Sequence, residues 1–278
     1  GTSWSDKPWM AVSPSGNDIY IAWSSHGNIV TVASHNGGSS FSVPLQITNE
    51  TNIYYYPNGA TVLNNGTALM VASEYPEKGN NTKITGALPI VAFRTSNGGT
   101  SWTRTVIDTL NTGATFATSS VTTIASDGTN LLLVYSGSLT VGANGKVYVR
   151  RSTDSGATWS ARTEMTNSAG GADATSVAAA GKAGLFAITW MDNRGGGWNV
   201  WERESTDGGV TWSADTKVSD ATTGATYKTA TGFGLPYGDY DMDGQPRIQP
   251  VGGRVDIGAD ESDETVWPVG PYVIVRVS

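Results

Sequence analysis

The octet STDGGVTW at residues 205–212 recurs as STDSGATW at 152–159, and more loosely as TSNGGTSW at 95–102 and SHNGGSSF at 34–41. The third residues of the four copies, Asn36, Asn97, Asp154 and Asp207, stand 61, 57 and 53 residues apart. Such a period marks a repeat architecture, in which each unit buries its apolar surface only against its neighbours. Upstream of each octet the chain follows one plan. A small apolar strand and a Gly-containing turn lead to a strongly apolar strand with an aromatic residue (IYIAW, LLLVY, LFAITW), then to a turn and an alternating strand (KVYVRRS, NVWERES). After the octet comes a short fourth strand (FSVPLQIT, WSADTKVS).

Four strands in roughly 55 residues is the content of one propeller blade. The chain is therefore expected to be all-β: one β-propeller domain over 1–278, built of four-stranded antiparallel blades at about 6–48, 54–108, 118–165, 172–219 and 229–278. The second strand of each blade, apolar nearly throughout, is expected to be covered on both faces. The third should alternate. The fifth unit has candidate strands PRIQPV, RVDIGADE and YVIVRVS but neither octet nor fourth strand. Five units suggest a five-bladed ring, and a six-bladed ring with sequence missing stays open. The incomplete last blade leaves an edge fit to take a strand from a protein partner.

The octet resembles the Asp-box, or BNR repeat, S-x-D-x-G-x-T-W, of sialidases and many other β-propellers. Two copies fit in full; Asn replaces Asp at 36 and 97, and Phe replaces Trp at 41. The residues suit a hairpin between third and fourth strands. Asn36, Asn97, Asp154 and Asp207 can accept backbone N–H groups within the turn. The fifth-position Gly supplies positive φ, and Trp102, Trp159 and Trp212 plug the sheet edge. Nothing in this set activates a nucleophile or moves a proton. The resemblance places these turns on the rim away from the site, so function belongs to what differs between blades.

The resemblance also implies what a sialidase-type site needs: three Arg clamping a carboxylate, a Tyr nucleophile paired with Glu, and an Asp as acid and base. This chain departs from that set. No Arg precedes Arg94, the first blade reads WMAVSPSG where an Arg is wanted, and Pro246-Arg247-Ile248 stands in the last unit. Arg194, Arg247 and Arg254 are the Arg residues left as central cations.

Three stretches carry the remaining candidates. WMDNRGGGW (190–198) offers Asp192 and Arg194 for catalysis, with Asn193 and Trp198 for ligand contact. YYYPNG (54–59) places Tyr54, Tyr55 and Tyr56 at a strand entry, near Glu74 and Tyr75 at the end of the next strand. A Tyr/Glu pair is what a retaining mechanism requires, while one or two of the rings are expected in the core. GFGLPYGDYDMDG (232–244) supplies Tyr237 as a catalytic and Tyr240 as a ligand-binding candidate. There Asp239, Asp241 and Asp243 before Gly244 have the spacing of a calcium loop, although Pro250 stands where such a loop carries Glu. No cofactor is required; calcium is the one ion the sequence suggests. His26 and His35 have no matching acid and nucleophile.

A net charge of −7 with scattered Lys and Arg disfavours nucleic acid and anionic membranes. The absence of Cys removes disulfides and thiolate chemistry. No apolar run reaches the roughly 20 residues of a membrane span, so insertion is not expected. Low Lys content with abundant Thr, Asn, Gly and Trp leans toward a secreted or cell-surface protein. The leading expectation is a propeller that binds a glycan or another extracellular ligand without the full sialidase catalytic set. The alternatives are a sialidase-like glycoside hydrolase and an assembly module of a surface or filament structure.

Overall fold

The computed structural model describes residues 5–75, 87–111, 122–166 and 172–219. These residues are all-β, in four antiparallel sheets of four strands each, ordered as the chain runs. The first sheet holds β1 (Ser5–Val12), β2 (Ile19–Ser25), β3 (Asn28–Ser34) and β4 (Leu45–Gln46). The second holds β5 (Tyr54–Val62), β6 (Ala68–Tyr75), β7 (Leu88–Thr95) and β8 (Thr103–Leu110). The third holds β9 (Thr122–Ser126), β10 (Leu131–Gly137), β11 (Lys146–Ser152) and β12 (Thr163–Glu164). The fourth holds β13 (Ala174–Lys182), β14 (Leu185–Asp192), β15 (Asn199–Ser205) and β16 (Thr216–Lys217).

The first strands pack on one another in the order β1, β5, β9, β13, so they form the inner edge of an arc of blades. Two glycines permit this approach. A Cβ at Gly59 would sit 3.1 Å from the backbone N of Ile124, and one at Gly181 would sit 2.7 Å from the carbonyl O of Ser126.

The core lies between sheets. Ala22, Ile29, Tyr55, Met70 and Phe93 fill the first junction. Leu69, Val71, Leu131, Leu133 and Tyr135 fill the second. Leu132, Val134, Phe186, Ile188 and Trp190 fill the third. Strand β6 is buried along its whole length, and β10 nearly so, because each has a blade on both sides. Strands β2 and β14 instead alternate buried positions with half-buried or exposed ones. They belong to the end blades of the described arc, each with a described blade on one side only. The expected alternation of the third strands is weak: β7 and β11 are mostly buried, since the neighbouring blade covers them as well.

Each octet is a joint between blades. In all four, the first-position hydroxyl accepts the fifth-position N–H: Ser34 from Gly38 at 3.0 Å, Thr95 from Gly99 at 3.1 Å, Ser152 from Gly156 and Ser205 from Gly209 at 2.9 Å. The third-position oxygen accepts the seventh-position N–H, from Ser40, Ser101, Thr158 and Thr211. The ring at position eight then packs into the junction with the preceding blade. Trp102 stands edge-on to Tyr20 at 6.0 Å, Trp159 joins the cluster of Leu69 and Leu131, and Trp212 joins that of Leu132 and Phe186. Phe41, in the first described blade, is 43% exposed.

A ninth residue belongs to the turn. The hydroxyls of Ser42, Ser160 and Ser213 accept the N–H of Ala33, Arg151 and Glu204. Those hydroxyls replace a ladder bond, and the fourth strands that follow, β4, β12 and β16, are two residues long. In the second blade Thr103 occupies that place and starts the eight-residue β8.

Candidate functional site

The octets and the first hairpin turns share one end of the blades. At the other end lie the starts of the inner strands and the loops joining second to third strands. Tyr237, Tyr240, Asp239, Asp241, Asp243, Arg247 and Arg254, with the unit 229–278, lie outside the described residues.

The tyrosine stretch opens β5. Alternation along a strand sends Tyr54 and Tyr56 to one face and Tyr55 to the other. Tyr54, Tyr56 and Tyr75 form a cluster with ring centroids 6.2–6.4 Å apart. Tyr54 and Tyr56 are half-buried, and Tyr75 is buried. The Lys7 ammonium stands 5.3 Å from the centre of the Tyr56 ring. Trp9, 41% exposed, donates its indole N–H to the Pro57 carbonyl at 3.0 Å. Tyr55 departs from the expected ligand-binding role. It is fully buried against Phe93 in the first junction and belongs to the core.

The inner strands are irregular here. Pairing slips between Asp6 and Trp9 in β1, between Pro57 and Gly59 in β5, and between Thr175 and Ala178 in β13. The bulged residues include Lys7 and Ser176, both with φ 55°, and Asn58, whose amide donates to Ser73 Oγ at 3.2 Å. Bulges re-aim side chains and are over-represented beside binding sites, and non-Gly residues at positive φ are held there by surrounding structure. Lys7, Asn58 and Ser176 were missed by sequence reasoning. Pro8 and Pro57 were the available signals, since Pro inside an inner strand marks a bulge.

The expected Tyr/Glu pair exists in register, Tyr55 opposite Glu74. It is not poised for nucleophilic work. Glu74 is buried and accepts from Arg104 Nε at 2.6 Å. Burial, then the Glu74 charge, pushes the Tyr55 phenol well above its ordinary range, so it stays neutral.

Asp192 and Arg194 are brought together, but to each other. Asp192 is 1% exposed and accepts from Trp190 Nε1 at 2.9 Å and from Arg194 Nη2 at 2.6 Å. Arg194 also reaches Asp215 and lies 4.0 Å over the Trp201 ring, while Asp215 binds Arg203 at 2.7 Å. Asn193 exchanges backbone-directed bonds with Asp173: its Oδ1 accepts the Asp173 N–H at 2.8 Å. The Asp173 carboxylate accepts the Gly145 N–H at 2.7 Å, which ties this loop to that of the third blade. Trp198 is half-buried in the same loop. These residues pin a loop two blades away from Glu74 and Tyr75. Asp215 and Asp108 were unforeseen; Asp108 binds Arg162, Arg150 and Tyr135 across the second junction.

Every Arg among the described residues is engaged in this way. Arg94 and Arg151 donate to Ser155 and Gly208 carbonyls, and Arg104, Arg150, Arg162, Arg194 and Arg203 hold carboxylates. None lies on an inner strand. Among the described residues, no three acidic or His residues converge for a metal ion, and no helix is long and apolar enough to cross a membrane.

No protein-family model matches the sequence, and no curated protein matches it. Solved structures do resemble it. The α-L-arabinofuranosidase Arb93A of Fusarium graminearum aligns at TM-score 0.56 and 16% identity, over 80% of this chain and 68% of that one. A protein of unknown function from Dyadobacter fermentans aligns at 0.53 and 15%, over 77% and 69%. The NanB sialidase of Streptococcus pneumoniae aligns at 0.52 and 13%, over 81% and 53%. The alignment thus spans about two thirds of the first two chains and about half of the sialidase. At such identities the likeness is one of fold: this chain has a sialidase-like propeller fold.

Proposed function

We propose that this chain is an exported or surface propeller of the Asp-box type that binds a glycan, or another extracellular ligand, without the full sialidase catalytic set. The binding surface in this reading is Tyr54, Tyr56 and Tyr75 with Lys7, Trp9, Asn58 and Ser176. One observation carries it: the described arginines are consumed in joints between and within blades, while aromatic rings and bulged polar residues stand on the inner strands. Rings with nearby amides and hydroxyls suit sugars, which offer an apolar face and hydroxyl edges. Asp239, Asp241 and Asp243 remain the proposed calcium ligands, and 1–278 the proposed single domain of five units.

The neighbours' own activities favour a second reading, a glycoside hydrolase whose cations come from Arg247 and Arg254. A glycan-array screen beside hydrolysis assays on sialosides and arabinofuranosides, with calcium or chelator, separates the two. Binding without turnover, reduced at least tenfold in Tyr56→Ala, supports the first. Turnover abolished in Arg247→Ala replaces it with the second. Silence in both assays removes both and leaves the assembly module.

A further inference from the structure

The three described junctions share one contact at the octet rim. A basic side chain of the preceding blade reaches the fourth-position carbonyl of the next octet. Arg94 Nε donates to Ser155 O at 2.7 Å, and Arg151 Nε donates to Gly208 O. At the first junction the part is taken by His35, whose Nε2 lies 3.0 Å from Gly98 O. Its Nδ1 lies 2.7 Å from Asp18 Oδ1.

A carbonyl and a carboxylate only accept. Both contacts are hydrogen bonds only when both ring nitrogens carry hydrogen, which a neutral imidazole does not provide. We propose that His35 is a pH-operated latch between the first and second blades, closed as imidazolium and loosened when it loses its proton, while the two arginine joints hold at every physiological pH.

The groups facing the ring are few. From its own blade come Asp18 and the Tyr20 ring, edge-on at 6.1 Å. The octet 95–102 across the junction has no ionisable side chain, and neither has the rest of the octet 34–41. The hydrogen bond to Asp18 raises the His35 pKa above 6.5, with the Gly98 carbonyl adding to it and slight burial opposing. A raised folded value means the contribution is complete below the ordinary histidine pKa and is lost as pH rises through the folded one. The imidazole is half exposed, so solvent screens the pair and the effect is small.

The test uses the whole chain. Its only other histidine is His26, so ring-nitrogen NMR resolves two titrations, assigned by single substitution. The expected midpoint for His35 lies above 6.5, with both nitrogens protonated at pH 5.5. The melting temperature of His35→Gln should fall about 2 °C below that of the native chain at pH 5.5, and the gap should close by pH 9. His35→Arg, which copies the other joints, should match the native chain at pH 5.5 and exceed it at pH 9. A midpoint at or below 6.5, or an equal gap at both pH values, overturns the proposal.

Discussion

Arg162 grips Asp108 of the neighbouring blade with both arms of its guanidinium, Nε at 2.8 Å from one carboxylate oxygen and Nη2 at 2.6 Å from the other. Tyr135 donates to the same carboxylate, and Arg150 stands 3.5 Å away. Burial pushes the Asp108 pKa up, but the bonds from Arg162, Tyr135 and the Thr109 N–H outweigh it and hold the group below its ordinary value. Its contribution is therefore present above the unfolded value near 3.8 and lost as pH falls below it. Asp108→Ala should cost roughly 3 kcal/mol in equilibrium denaturation, because it strands two guanidiniums against a buried phenol. A loss under about 1 kcal/mol would mean that solvent satisfies them.

The octets divide by the sense of one hydrogen bond. With Asn at the third position, the amide of Asn36 donates to Ser40 Oγ and that of Asn97 to Ser101 Oγ, both at 2.8 Å. With Asp, the direction reverses, and Thr158 and Thr211 donate to Asp154 and Asp207. Those hydroxyls, then the backbone N–H groups beside them, lower both carboxyl pKa values to about 2. The Asp turns should hence weaken as pH drops from about 4 to 2, whereas the Asn turns should not. Asp154→Asn should be nearly neutral at pH 7, since the hydroxyl rotates to accept. Hydrogen exchange at Gly156 and Thr158, followed from pH 5 to 2.5, tests this against Gly99 and Ser101.

Arg94 and Arg151, each just before its blade's octet, are joints to the following blade. Arg94→Ala should leave the Ser155 carbonyl without its donor and speed exchange through 153–158 several-fold, with little change in the first blade. Lys in its place should restore only part, because an ammonium at the end of a flexible stem does not reproduce the guanidinium geometry. Protection unchanged in Arg94→Ala would show that water replaces the donor at no cost.

The blades were legible because the octets are written in residues with few alternatives: a hydroxyl, a carboxylate or amide, a Gly and an aromatic ring at fixed spacing. That the octets of the second, third and fourth blades join each to the preceding one was not legible, since Trp102 meets Tyr20 across 82 residues of sequence. The site was legible only in part. The YYY stretch showed aromatic rings, but not which of them face the core. Asp192 and Arg194 looked like chemistry because an acid and a cation in a Gly-rich loop are the same letters whether they meet a ligand or each other. Asp108 gave no signal at all; its partners arrive from another blade.

Gly181 offers the sharpest test of how closely the inner strands approach. An added Cβ would lie 2.7 Å from the Ser126 carbonyl of β9 and 2.6 Å from the Phe186 ring. The ring can shift; the carbonyl belongs to the inner edge of the third blade. Overpacking of this kind costs about 1–3 kcal/mol. Gly184 provides the control, in the turn that follows, with φ +85° and nothing within 4 Å of an added Cβ. There Ala meets backbone strain alone, about 1 kcal/mol. Gly181→Ala should thus be the more destabilising of the two in parallel denaturant titrations, and Gly181→Val more so again. The opposite order would mean that the third and fourth blades slide apart without loss, and that the inner strands are not in the contact that defines the arc.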